Sequence, residues 1–290
     1  MSPSPQADVL APASGLFADR LRVLVVAAHP DEPDEYVGGT AAKLAQAGHG
    51  VKFLSLTNGD AGHRSMPRKA LARRRAVEAY AAARELGVQE YEILSAHDGE
   101  LEASVAMRRK VVARIRRWQA DVVVAFHDEC PGHLDNRAAG RLVREAVAVV
   151  GLANVVPDVP ALATPPVCLL MPDHDALAHH RHDVVVDVSS TIEAKLRACA
   201  AHASQFLEFA PWQRGLLDQV PPVGDWDRVR EFVLEHWSPY LHTQPEMRAA
   251  VSAAGLGAVG EFAESFQLAG YGRDTTATEV RALLSRPGIG

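Results

Sequence analysis

Short apolar runs without alternation recur along the chain between stretches of helical pattern: VLVVAA at 23–28, VKFLSL at 51–56, YEIL at 91–94 and DVVVAF at 121–126. A strand with one wet face alternates apolar and polar residues, so successive apolar positions mark a strand covered on both faces. The intervening stretches read as helices, at Gly38–Ala47 before Gly48, Arg68–Leu86 before Gly87, and about 103–118. Each glycine stands where a helix ends. Strands alternating with helices of this length predict an α/β class, a Rossmann-like parallel-sheet sandwich. A helix at 136–150 and the proline-rich VVPDVPALATPPV lead to two more strand-like runs, VCLLM at 167–171 and DVVVDVS at 183–189. Beyond Thr191 the pattern is mostly helical, clearest in IEAKLRACAAHASQF. The expected organisation is a flexible N-terminus over 1–20, an α/β catalytic domain over 21–212, and a helical C-terminal extension over 213–290 serving as a lid or a subunit contact.

Composition narrows the partner. Of 290 residues, 48% are hydrophobic and 23% charged, enough for a large core, and the net charge is -6. That balance argues against a nucleic-acid or anionic-membrane surface, either of which needs a basic face. No apolar run approaches the roughly 20 residues that span a bilayer, and the N-terminus has no signal-peptide pattern. Cys130, Cys168 and Cys199 are odd in number and show no CxxC spacing, which suits a reducing compartment and small buried thiols. The expectation is a cytoplasmic protein acting on a small molecule, with homo-oligomerisation left open.

In open parallel sheets, ligands bind at the carboxyl ends of the strands. Polar clusters follow three strands here: His29, Asp31 and Glu32 after the first, Asn58, Asp60 and His63 after the second, and HDECPGHLDN at 127–136 after the strand at 121–126. A lone histidine at a strand end is ordinarily structural. Imidazoles and carboxylates gathered from neighbouring strands are instead what a divalent metal needs, with an open position left for water. The histidine-rich HDALAHHRH at 174–182 reads first as an exposed loop. His127, His174, His179, His180 and His182 are nevertheless alternative sources of a metal-binding nitrogen.

Taken in order, AHPDE, GGT, TNGDAG, HLDNRAAG and KLRACAAHASQ resemble the PIG-L/LmbE-like superfamily of zinc-dependent N-deacetylases, over residues 22–212. The resemblance implies hydrolysis of the N-acetyl amide of an amino sugar, zinc held by His29, Glu32 and Asn136, and Asp31 as general base. It implies His133 as the residue that stabilises the tetrahedral intermediate or protonates the leaving amine, with Asp135 orienting its imidazole. Two ligand positions depart from the family pattern. Glu32 replaces an aspartate, which lengthens the arm by one methylene. Asn136 replaces a histidine, and a neutral amide oxygen is a poor zinc donor, so the set favours weak zinc binding or a harder divalent cation.

Asp60, Arg75 and Asp98 are candidate substrate-binding residues, although for two of Arg73, Arg74 and Arg75 a solvated helix face is the plainer expectation. His202 is expected to be structural, packed under the sheet. The leading functional reading is a metal-dependent N-deacylase. The alternatives are a repurposed enzyme doing acid/base chemistry such as cyclisation or elimination with weak metal or none, and a non-catalytic binding protein.

Overall fold

The computed structural model describes residues 20–129 and 131–285, the side chains of 174–176 excepted. The expected flexible N-terminus, but for Arg20, and Cys130 lie outside the described residues. The first half alternates as the apolar runs predict: β1 (Arg22–Ala27), α1 (Glu32–Gln46), β2 (Gly50–Thr57), α2 (Arg68–Leu86), β3 (Glu90–Ala96), α3 (Val105–Trp118), β4 (Val122–Ala125) and α4 (Leu134–Val149). Then come β5 (Val167–Leu170), β6 (Val184–Asp187) and α5 (Ile192–Ala201). The chain continues through a π-helical turn at Ser204–Phe209, α6 (Ala210–Gln213), α7 (Trp226–His236), α8 (Ser238–Leu241) and α9 (Pro245–Ala253) to β7 (Ala263–Leu268) and α10 (Ala277–Leu284). Helix α1 begins at Glu32 rather than at the expected Gly38, because Pro33 in the first turn and the acidic Glu32, Asp34 and Glu35 favour a helix N-terminus there.

The sheet has seven strands in the order β3-β2-β1-β4-β5-β7-β6, and the five from β3 to β5 are parallel. Its two faces bury separate cores: α1, α2 and α5 cover one, whereas α3 and α4 cover the other. Strand order reverses between β1 and β4, the switch point at which ligands enter such sheets.

The C-terminal region differs from the expected helical extension. β7 inserts antiparallel between β5 and β6, so residues 263–268 complete the sheet. The strand was hidden because its polar residues are buried: Glu264 is 3% exposed, paired with the fully buried Lys195 at 2.7 Å. Glu264 also accepts hydrogen bonds from the amides of Gly39 and Thr40, at 2.8 and 2.7 Å. This accounts for the GGT motif. A Cβ on Gly39 would stand 2.6 Å from Cβ of Val188, so only glycine lets α1 approach β6 and α5 this closely.

Candidate active site

His29 leaves the end of β1 and is enclosed by carboxylates. Its Nδ1 lies 3.0 Å from Oε1 of Glu32, and its Nε2 lies 3.1 Å from Oδ1 of Asp98 and 3.2 Å from Oδ2 of Asp135. The backbone amide of His29 donates to Oε2 of Glu32 at 2.7 Å, which fixes that carboxylate. Burial opposes protonation of His29, but the attraction of Glu32 and the hydrogen bonds with Asp135, Asp98 and Glu32 outweigh it, holding the imidazole well above its usual range. The same contacts overcome desolvation at Glu32, Asp98 and Asp135 and hold these carboxyls below theirs.

Asp31 caps α1 with φ 127° and ψ -38°, a conformation that costs a non-glycine residue on the order of 1–3 kcal/mol and persists only where its surroundings impose it. Its carboxylate meets Arg75 at 2.8 Å, and the same guanidinium donates to the carbonyls of Pro30 and Gly59. Burial pushes the Asp31 carboxyl up to about 6 against the pull of Arg75. Arg75 is therefore a buried site residue at 2% exposure, and Arg73 alone of the three arginines is on the open helix face. Arg74 is half-buried and pairs with Glu78 and Glu208.

The loop before α4 supplies the other wall. Gly140 permits it: a Cβ there would stand 2.5 Å from the Phe126 carbonyl oxygen, so α4 can lie directly on the end of β4. His133 caps α4 by accepting the Asp135 amide at its Nδ1, 3.3 Å away, and its ring meets the edge of His29 with centroids 4.9 Å apart. With Nδ1 an acceptor, the proton of the neutral ring resides on Nε2.

Asp135 orients the His133 ring only through its backbone amide, not through its carboxylate. Its fully buried carboxylate accepts the amides of Gly99 and Leu101, at 2.7 and 3.1 Å, and faces His29. The reason is local: Asp135 lies in the first turn of α4 and points back to the loop after β3.

Asn136 is 2% exposed; its amide nitrogen donates to Asp173 at 2.8 Å, and its Oδ1 has no hydrogen-bond partner. Asp60 stands outside the cavity wall: buried, it binds His97 at 2.6 Å and the Asp98 amide at 3.1 Å, and so shapes the loop that presents Asp98.

His29, Asp31, Glu32, Arg75, Asp98, His133 and Asn136 line one cavity of about 510 Å³. Among the described residues, ligand atoms of His29, His133 and Asp135 lie within 4.8 Å of one another. The concentration of carboxylates around His29 and the orphaned, buried Asn136 oxygen both fit a divalent cation.

Among the described residues, the histidine-rich loop brings no substitute ligand to the His29 cavity. His180 is buried against His127, Nδ1 to Nε2 3.2 Å, with burial pushing it down to about 3, and neither ring lines the His29 cavity. The exposed-loop expectation holds for His179 but fails for His180. The side chain of His174 is outside the described residues.

Asp173 and Gln205 went unread in the sequence as site residues. Asp173 follows β5 and lines the cavity; an acid just past a predicted strand end was the available signal. Gln205, in the HASQ stretch, lines the cavity from the π-helical turn and donates to the Gly62 carbonyl at 3.0 Å, while its neighbour Ser204 donates to Glu78 at 2.6 Å away from the cavity wall. His202, expected to be structural, is fully buried and bonds Asp34 at 3.0 Å.

Residues 24–147 match the PIG-L family, described as GlcNAc-PI de-N-acetylase. The chain is similar to a diacetylchitobiose deacetylase of Thermococcus kodakarensis, 32% identical over 237 residues, covering 78% of this chain and 77% of that one. Among solved structures, the N,N'-diacetylchitobiose deacetylase of Pyrococcus horikoshii, bound to its inhibitor MPG, superposes with a TM-score of 0.64 at 26% identity, covering 85% of this chain and 83% of that chain. The 4-carboxy-2-hydroxymuconate hydratase of Pseudomonas putida KT2440 shares the fold, with a TM-score of 0.66 at 21% identity over 88% of this chain and 98% of that one.

Proposed function

Because the chain belongs to the PIG-L family, we propose that it is a metal-dependent N-deacylase that hydrolyses the N-acetyl group of a small amino-sugar substrate, in the reducing cytoplasm that its cysteine usage suggests. The observation that carries this reading is the placement of Asp31: a buried carboxyl raised to about 6 shares one cavity with His133 and with the carboxylate-ringed His29. A general base acts best when its pKa lies near the working pH.

His29 and Glu32, with Oδ1 of Asn136 as third donor, are the residues that would hold the cation; His133 and Asp135 stand beside them. A divalent cation supplies Lewis-acid polarisation of the scissile carbonyl. Asp31 removes a proton from the attacking water, and Arg75 holds the carboxylate toward the cavity. His133, with its proton on Nε2, donates a hydrogen bond to the oxygen of the tetrahedral intermediate, and Asp31 returns the water's proton to the nitrogen as the C–N bond breaks, so acetate and a free amine leave together. Asp98 and Asp135 keep the His29 ring fixed through Nε2.

The direct test is incubation with diacetylchitobiose as the probe, measuring acetate and free amine. Equimolar release, abolished by a chelator and restored by zinc, is the expected result. Turnover that survives exhaustive chelation without acetate would replace this reading with metal-free acid/base chemistry by Asp31 and His133.

Metal content gives a second expected result. Asn136→His exchanges an amide oxygen for a stronger imidazole donor, so after dialysis the variant should retain close to stoichiometric zinc while the parent retains less. Elemental analysis showing equal zinc in both would remove Asn136 from the ligand set.

A further inference from the structure

Among the described residues, only Asp31 and Gln119 combine a side chain with a positive φ, and Asp31 is the one in the cavity. Arg75 accounts for its carboxylate, but the backbone has a separate holder. As the N-cap of α1, Asp31 has an amide that no preceding turn of helix accepts. That N–H donates to the phenol oxygen of Tyr91 at 3.1 Å. The phenol donates its own proton to Oδ2 of Asp34 at 3.2 Å, and the same oxygen lies 3.0 Å from Nε2 of His202.

The chain of hydrogen bonds thus runs one way, from the Asp31 amide through the Tyr91 hydroxyl to a carboxylate anchored on α5 by its C-cap, His202. All three supporting side chains are buried, so bulk water does not replace any link. The ring of Tyr91 packs edge-on against Phe53 with centroids 5.4 Å apart, which fixes the hydroxyl independently of its polar partners.

We infer that Tyr91 is a positioning residue for Asp31: its hydroxyl holds the strained Asp31 backbone so that the carboxylate faces the cavity, and Asp34 with His202 hold the hydroxyl. The inference rests on the proposed role of Asp31 as base. Tyr91 does not itself line the cavity and reaches it through Asp31.

Tyr91→Phe keeps the ring and deletes the one atom at issue. The expected result is a fall in kcat of about ten- to a hundredfold with KM unchanged, since a misplaced catalytic group loses transition-state rather than ground-state interactions. Residue-resolved hydrogen exchange should show the Asp31 amide exchanging about tenfold faster or more, with core amides unaffected. A kcat within twofold of the parent, or an unchanged Asp31 amide, overturns the inference.

Should Tyr91→Phe fail to fold, Asp34→Asn, which weakens the acceptor but keeps its shape, should lower kcat in the same direction; parent-like kcat there also overturns it. Asp31→Asn, assayed in parallel, separates the two claims. Full turnover in Asp31→Asn would refute Asp31 as base, while the exchange rate in Tyr91→Phe still decides whether the phenol holds residue 31.

Discussion

Asp31→Asn should lower turnover about 1,000-fold, the scale of a lost general base, while the protein unfolds at nearly the same temperature. The substitution keeps the size of the side chain, and asparagine is among the few residues that tolerate a positive φ. It removes an ion pair with Arg75, but it also removes the cost of burying a carboxylate, the larger influence on that group. Arg75 keeps its hydrogen bonds to the carbonyls of Pro30 and Gly59, so no buried cation is left without partners. Stability is therefore expected to change by about 1 kcal/mol or less. Activity above a tenth of the parent's would take Asp31 out of the proton transfer; a large drop in melting temperature would make its role structural.

The largest effect on stability is expected at a residue far from the cavity. Lys195→Met should cost about 3–5 kcal/mol in urea unfolding, because it leaves the buried Glu264 charge with amide donors alone. Lys195 is fully buried, with its ammonium 2.7 Å from Glu264 and 3.2 Å from the Tyr240 carbonyl. Glu264 grips Gly39 and Thr40 in the middle of α1, so the damage reaches the helix that carries Glu32. The double variant Lys195→Met, Glu264→Gln should recover part of the loss, since no buried charge then remains. A loss below about 1 kcal/mol in the single variant would mean that the two amide donors suffice for the carboxylate.

Much of this protein was legible in its sequence, for physical reasons that also define what was not. Short apolar runs between helical patterns favour strands, so β1 to β6 were all visible as expected strands, although the edge strands β3 and β6 are only partly buried. The carboxyl ends of β1 and β4 carry histidines and carboxylates, so His29, Asp31, Glu32, His133 and Asn136, which line the cavity, stood out as candidates in the sequence. What escaped was set by contacts between distant residues. β7 reads FAESFQL across its edge, with Glu264 and Gln267 where a buried strand should be apolar; only the presence of Lys195, sixty-nine positions earlier, makes the acid tolerable. Asp135 was expected to serve the neighbouring His133, whereas its carboxylate bridges the β3 loop and His29. Spacing along a chain gives no sign of such a crossing. Arg75 and Arg73 are two residues apart and look alike in sequence, yet helix periodicity turns one toward the cavity and the other toward water.

Strand β7 has a consequence for how the molecule comes into being. On the ribosome, β6 emerges some eighty residues before its antiparallel neighbour, and until residues 263–268 follow, β5 and β6 both present open edges. Over that interval Lys195 is exposed without its counter-ion, and the midpoint of α1 has nothing to grip. The residues that line the cavity are translated before the strand that locks the sheet behind them. A nascent chain halted after α5 would therefore carry every residue assigned to chemistry and still be a substrate for chaperones rather than an enzyme.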